Sequence, residues 1–276
     1  MNDVDFYMPV PQELLAGIVG RDPMAGVDPI LCGYEVFMRK FCVPRTGVLH
    51  LGGHVGQELP MYAALGFNKV VMVEALDEEY QKLSKRIAAF NESCGHIAKF
   101  MGGEQASRAH AVRCAVSDYS GTTNFYRTGV SSLSSLSKPQ HENFSDLWSA
   151  FGDSLPLHKR LMLRMMSRRA VSYREVSVPC LTLDEVVAGL PHGWKADDFT
   201  YLRMNIQGSE LKALQGGSDA LAHIVLIDLE TNIEQRYQGA PSKNDFDMLL
   251  EPLGFRAVFG YRVGPMGNLF YARQQA

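Results

Sequence analysis

The chain has 276 residues, 46% of them hydrophobic and 21% charged, with 27 Lys and Arg against 30 Asp and Glu for a formal net charge of -3. That balance suits a globular unit with a sizeable core and gives no electrostatic ground for a nucleic-acid partner, which needs concentrated positive charge. No apolar run approaches the about 18 residues of a membrane span, and the start MNDVDFYMPVPQ lacks the basic and apolar regions of a secretion signal, so a cytoplasmic location is expected.

Residues 1–46 carry two helical patterns, PQELLAGIVG and PILCGYEVFMRKF, separated by the breaker-rich RDPMAGVDP. They read as an N-terminal helical extension or cap, suited to covering a site or to self-association into a homo-oligomer. From Gly47 strand and helix alternate. VLHL is a short apolar strand, PMYAALG a helix ending at Gly66, and KVVMVEA a continuous apolar strand of the kind buried on both faces. DEEYQKLSKRIAAFNES follows as a helix with acids in its first turn. AHAVRCAVSD reads as a third strand, and GTTNFYRT as an extended segment paired with it or nearby. The stretch from 129 to 177 breaks the rhythm with serine-rich VSSLSSLSKPQ and the basic, methionine-rich LHKRLMLRMMSRRA. Alternation resumes with LTLDEVVAGL (helix), DFTYLRMNI (strand), GSELKALQGGSDAL (helix), HIVLIDLET (strand), NDFDMLLEPLG (helix) and a closing strand pair, FRAVFGYRV and GNLFYAR. The expected fold is α/β, a mainly parallel sheet flanked by helices with an antiparallel edge, formed by residues 47–276 with an insertion at 129–177. The five cysteines Cys32, Cys42, Cys94, Cys114 and Cys180 form no CxxC pair and read as reduced thiols.

In such a sheet ligands bind beyond the carboxyl ends of the strands, where strand order reverses. Gly52, Gly53 and Gly56 follow the first strand and precede a helix, a place where a bare backbone can turn sharply and approach a ligand. Their spacing is neither GxGxxG nor a Walker sequence, which disfavours a nicotinamide dinucleotide and its pyrophosphate. Glu74 ends the second strand, where an acid can accept both ribose hydroxyls. Ser117 and Asp118 end the third strand, where they meet an adenine edge or simply cap the turn DYSG. Asn205 and Gln207 follow the fourth strand, and Asp228 and Glu230 lie at the fifth. The donor set supplies too few carboxylates for a hard cation and no zinc spacing, so no metal is expected.

The ordered series HLGGHVGQE, VVMVEA, CAVSDYSGTTNFY, SSLSSL, LTLDEVV, YLRMNIQGSELKALQGG, IVLIDLE and LGF with GNLFYAR resembles the FkbM family of S-adenosylmethionine-dependent methyltransferases, over about Val48 to Arg273. The resemblance implies a Rossmann-like class I methyltransferase fold with S-adenosylmethionine as cofactor. It implies that Gly52, Gly53 and Gly56 shape the turn around the methionine part, that Glu74 holds the ribose and Asp118 the adenine edge, and that Gln57 and Glu58 position the amino-acid portion or support the loop. Two positions depart from it: His50 stands where many such enzymes carry an acid on the first strand, and Asn205 replaces the signature's usual aspartate. The implied activity is O-methylation of a hydroxyl on a small molecule such as a sugar, polyketide or other natural product; the rival is a nucleoside-binding or scaffold protein that has lost catalysis. A hydroxyl nucleophile gains from a base that takes its proton, and His54, His141 and Glu230 are the candidates. The basic insertion reads as a lid facing an acidic substrate or as a solvated helix face.

Overall fold

The computed structural model describes residues 8–9, 29–100, 107–140, 169, 172–232, 236–263 and 266–274. In chain order the strands are β1 (Met8–Pro9), β2 (Gly47–Leu51), β3 (Lys69–Glu74), β4 (Arg108–Arg113), β5 (Ala115–Val116), β6 (Gly121–Thr128), β7 (Tyr173–Leu181), β8 (Tyr201–Met204), β9 (Leu226–Asn232), β10 (Phe255–Val263) and β11 (Met266–Arg273). The helices are α1 (Pro29–Lys40), α2 (Leu59–Ala64), α3 (Asp77–Phe100), α4 (Leu183–Ala188), α5 (Glu210–Gln215), α6 (Ser218–His223) and α7 (Lys243–Leu250).

An eight-stranded sheet runs in the order β1-β10-β11-β9-β8-β2-β3-β4. The five strands from β9 to β4 are parallel, and β11 is antiparallel to both β9 and β10. This is the expected Rossmann-like α/β arrangement, with the final strand inserted between β9 and β10 rather than added outside. The chain proceeds outward from β2 through β3 to β4, then returns to the other side of β2 with β8. The order therefore reverses between β2 and β8, and crevices open at such a reversal.

Every residue of β2 is buried, as a central parallel strand covered on both faces requires. Side chains alternate with the period of two that a strand imposes. Leu49, Leu51, Val71, Val73, Leu202 and Met204 join one core with α4, α5 and α6. Val48, Val70, Met72 and Tyr201 join the other with Tyr34 and Met38 of α1, Tyr62 of α2, and Leu83 and Ile87 of α3. The helix expected from PILCGYEVFMRKF is thus α1, packed on the sheet; PQELLAGIVG lies outside the described residues. Asp228 is fully buried there and accepts from Tyr34 Oη (2.8 Å), Tyr201 Oη (3.1 Å), Arg203 Nη1 (2.5 Å) and Asn268 Nδ2 (3.1 Å). A carboxylate withdrawn from water needs such partners, and this one is occupied in tying α1 to three strands. His50 is buried on the same face, its Nδ1 paired with Tyr62 Oη at 3.0 Å, which makes it a hydrogen-bonded core residue.

Three expectations are corrected. AHAVRCAVSD is not one strand: the chain leaves the main sheet at Cys114, and β5 joins a second sheet of order β5-β7-β6. GTTNFYRT is extended, as expected, and of the two placements it takes the nearby one: as β6 it pairs with β7, in register from Gly121 opposite Cys180 to Thr128 opposite Tyr173. Strand β7 falls partly in the stretch read as irregular. Its signal was the inward set Val176, Val178 and Cys180, obscured by Pro179, which sequence rules place at sheet edges. The helix read through GSELKALQGGSDAL is broken into α5 and α6 at Gly216 and Gly217. A Cβ on Gly216 would lie 2.4 Å from the Ser117 carbonyl oxygen, and one on Gly217 2.7 Å from Leu183. The glycines let the end of α5 press against the exit of β5 and the start of α4.

Among the described residues no helix is long and apolar enough to cross a membrane, and no group of three or more His, Cys, Asp and Glu could hold a metal ion. Cys42, Cys94, Cys114 and Cys180 are free thiols.

Candidate active site

A pocket opens at the reversal point, beyond the carboxyl ends of β2, β3 and β8. Gly52, His54, Gln57 and Glu58 line it from the loop after β2, Glu74 from the end of β3, Asn205, Ile206 and Ser209 from the turn after β8. Cys114, Ala115, Val116, Phe125 and Leu136 make an apolar wall, and Ser131, Ser132 and Ser134 close the remaining side.

The loop after β2 has the backbone that its glycines permit. Gly52 has φ +84° and Gly56 φ +76°, left-handed values that side chains disfavour. The missing Cβ of Gly52 faces the Asn205 carbonyl oxygen at 2.0 Å; those of Gly53 and Gly56 face Met72 at 2.9 Å and Leu83 at 2.8 Å. These three glycines therefore answer first to the protein's own packing, and of them Gly52 is the one that lines the pocket.

Glu74 holds that loop from below. Its Oε2 accepts from the His54 amide at 3.0 Å and its Oε1 from the Leu76 amide at 2.8 Å. A carboxylate has about four acceptor sites in all, and the backbone bonds, one from the Ala75 amide included, leave it able to accept from a hydroxyl in the pocket. Burial outweighs these amide bonds and pushes the carboxyl up to about 7, because the charged form loses water that the amides only partly replace.

The serine run is stitched to the turn after β8 and to the segment after β9. Ser135 Oγ donates to the Gln207 carbonyl at 2.7 Å, Tyr237 Oη to the Leu133 carbonyl at 2.9 Å, and the Gln140 amide to the Arg236 carbonyl at 2.7 Å. On the other side His54 Nε2 meets Ser131 Oγ at 2.9 Å. His54 takes φ 46°, and burial lowers its pKa against the opposing pull of Glu79 and Glu58. It bridges loop and serine run as a neutral imidazole.

The NIQGSE turn is organised by its glutamate. Glu210 is buried, its Oε1 accepting from the Ile206 amide at 3.1 Å and its Oε2 from the Gly208 amide at 2.8 Å. Burial pushes this carboxyl, too, up to about 7. Glu210→Ala would leave two enclosed amides unpaired, at about 1–3 kcal/mol each, and is expected to lower the urea midpoint with an unchanged m-value; a midpoint equal to wild type would show that water replaces the carboxylate. Gln207 Nε2 donates to Asn205 Oδ1 at 2.6 Å and to Glu230 Oε1 at 2.9 Å. Burial raises the Glu230 pKa, opposed chiefly by the Gln207 bond and by Arg203 and Arg236.

The pocket thus brings together Gly52, His54, Gln57, Glu74 and Asn205 from the residues singled out in sequence. Glu230 stands behind Asn205, linked through Gln207. Ser117 and Asp118 do not line the pocket: the Ser117 hydroxyl donates to Asp118 Oδ1 at 3.0 Å, and Asp118 is exposed at the turn. The wall on that side is made instead by Cys114, Ala115 and Val116, whose apolar character gave sequence reading no chemical flag. Phe125 and Leu136 were missed for the same reason. His141 and the basic segment LHKRLMLRMMSRRA lie outside the described residues, the backbone of Arg169 apart.

A parallel sheet with an inserted antiparallel strand, a tight glycine loop after the first central strand and an acid ending the next make a Rossmann-like α/β fold with its pocket at the reversal of strand order. The chain belongs to the methyltransferase FkbM domain family, whose model matches residues 50–257. The lining suits S-adenosylmethionine: Glu74 offers a carboxylate acceptor, Ala115, Val116, Phe125 and Leu136 an apolar wall, and Gly52 bare backbone. Among solved structures, the chain is similar to an FkbM methyltransferase from Methylobacillus flagellatus (14% identity, TM-score 0.45, covering 82% of this chain) and spans 43% of that protein's length. It is also similar to magnesium protoporphyrin IX methyltransferase from Synechocystis with bound cofactor (9% identity, TM-score 0.41, 99% and 98% coverage) and to a methyltransferase from Aquifex aeolicus (12% identity, TM-score 0.36, 86% and 87% coverage). No curated protein matches the chain in sequence.

Proposed function

We propose that the chain transfers the methyl group of S-adenosylmethionine to a hydroxyl of a small molecule, a sugar, polyketide or other natural product, with Glu230 as proton acceptor. The observation that carries this reading is the hydrogen-bonded line from Asn205, in the pocket wall, through Gln207 to Glu230. The cofactor supplies a methyl group on a sulfonium, open to in-line displacement. What the protein contributes is alignment and exclusion of water. Gly52, Gln57 and Asn205 would bound the amino-acid end, Glu74 would accept from the ribose hydroxyls, and the wall from Ala115 to Leu136 would take the adenine ring. Glu230, behind Asn205, would hold the proton that the acceptor hydroxyl gives up. A carboxyl with its pKa raised by burial is a better base than an exposed one. His54 is less suited, because its Nε2 is engaged with Ser131. Residues 129–177 would choose the acceptor, since Ser131, Ser132, Ser134 and Leu136 already line the pocket.

The test is incubation with methyl-labelled S-adenosylmethionine and a panel of hydroxylated acceptors. The expected product is an O-methyl ether, formed at least about 100-fold more slowly by Glu230→Gln. Cofactor binding by calorimetry without turnover on the panel would favour a nucleoside-binding protein instead, and a labelled N- or C-methyl product would overturn the hydroxyl specificity.

A further inference from the structure

Gln207 links Asn205 to Glu230 but neither gives nor takes a proton in the reaction proposed above, yet it is built at some cost. Its φ is 57°, a left-handed value uncommon outside Gly, Asn and Asp, and its side chain is buried. Both Nε2 hydrogens are committed, one to Asn205 Oδ1 and one to Glu230 Oε1. The two acceptors settle which way the amide points, and Oε1 is left buried with no partner among the described residues. Strained backbone and an unmet buried acceptor each oppose folding. A side chain that only filled space would need neither.

We infer that Gln207 is a positioning residue that couples occupancy of the cofactor pocket, felt at Asn205, to the Glu230 carboxylate. The inference rests on the reading of Glu230 as proton acceptor at an S-adenosylmethionine site. When a ligand engages the Asn205 side chain, the amide hydrogen shared with Asn205 is redistributed, and the bond to Glu230 lengthens or tightens with it. Donation from Gln207 favours the ionised carboxylate. Glu230 also faces Arg203 of β8, Arg236, Asp228 of its own strand, Glu210 of α5, Tyr237 and Tyr261 of β10, and those groups are unchanged by substitution at 207.

The experiment is a carbon-13 titration of glutamate-labelled protein, with Glu230 assigned through Glu230→Gln, alone and with S-adenosylhomocysteine. In wild type the added ligand is expected to move the Glu230 midpoint. Gln207→Leu and Gln207→Asn are each expected to raise that midpoint by roughly one pH unit and to abolish the ligand-induced movement. Asn tolerates the left-handed backbone and is one carbon too short to bridge, so a folded variant remains if Leu is not accommodated. A Glu230 midpoint that responds to S-adenosylhomocysteine in either variant as it does in wild type, or that never responds in wild type, would overturn the coupling alone. Failure of wild type to bind S-adenosylhomocysteine by calorimetry would overturn the cofactor reading and the coupling together.

Discussion

Gly52→Ala is expected to destabilise the protein by roughly 2–5 kcal/mol, combining about 1–2 kcal/mol for an alanine held at left-handed φ with about 1–3 kcal/mol for a clash that backbone must absorb. The new Cβ would sit 2.0 Å from the Asn205 carbonyl oxygen, and neither strand end can yield: the Gly52 amide is bonded to the Val73 carbonyl at 2.9 Å, and the Asn205 amide to the Leu51 carbonyl at 2.9 Å. Gly66→Ala is the control. Gly66 has a similar φ of +83° with nothing within 4 Å of its absent Cβ, so it should show the conformational part alone, about 1–2 kcal/mol. Urea unfolding of the two variants measures the difference. Equal midpoints would mean that the close approach of β2 and β8 is not a constraint, and the glycine at the pocket rim would need another explanation.

Glu74→Ala is expected to weaken S-adenosylhomocysteine binding about 100-fold or more, the equivalent of losing charge-assisted hydrogen bonds to two ribose hydroxyls. The carboxylate also holds the His54 and Leu76 amides, so the alanine variant loosens the loop as well. Glu74→Gln separates the two effects, since it keeps one carbonyl acceptor while losing the charge. The pH dependence gives a second readout. Burial has raised the Glu74 pKa to about 7 in the ligand-free protein, above its unfolded value. Its contribution to stability is therefore fully present below the ordinary carboxyl range and is lost as pH rises through about 7. On the proposed role of Glu74, donation from ribose hydroxyls favours the ionised carboxylate, so binding would lower this pKa and release a proton. Affinity should climb with pH up to about 7 and level off above it, and calorimetry in buffers of different ionisation enthalpy should report proton release near neutrality. Glu74→Gln should lose this dependence. A wild-type affinity flat from about pH 6 to 8 would remove the ionised Glu74 from ribose recognition.

Much of the framework was legible in sequence because it is written in period and in punctuation. KVVMVE is apolar without a break, so it could only be a strand covered on both sides. Glycine after VLHL marked the turn, and the acid ending the next strand, Glu74, was singled out and lines the pocket. The NIQGSELKALQGG signature was visible as a pattern, but the work of its glutamate was not. Glu210 was not singled out in sequence, and in the fold it bonds the amides of its own turn. Conversely, Ala115, Val116, Phe125 and Leu136 carry no chemistry that a sequence can flag, and they become a wall only because β5 leaves the main sheet.

What the sequence by itself determined is the order of the main-sheet strands, the place of the glycine turn and the family, since each depends on residues close together in the chain. The tertiary structure decided everything that depends on approach across long separations. Gly52 is forced by Asn205, 153 positions away, because two parallel strands that meet at the reversal point must exit at van der Waals distance. Asp118 is turned to solvent because β5 pairs with β7. Glu230 acquires its neighbours because Gln207 takes a left-handed backbone and carries its amide back between two strand ends. Local pattern specifies which elements form; hydrogen bonding and packing between distant elements specify which side chains face the pocket.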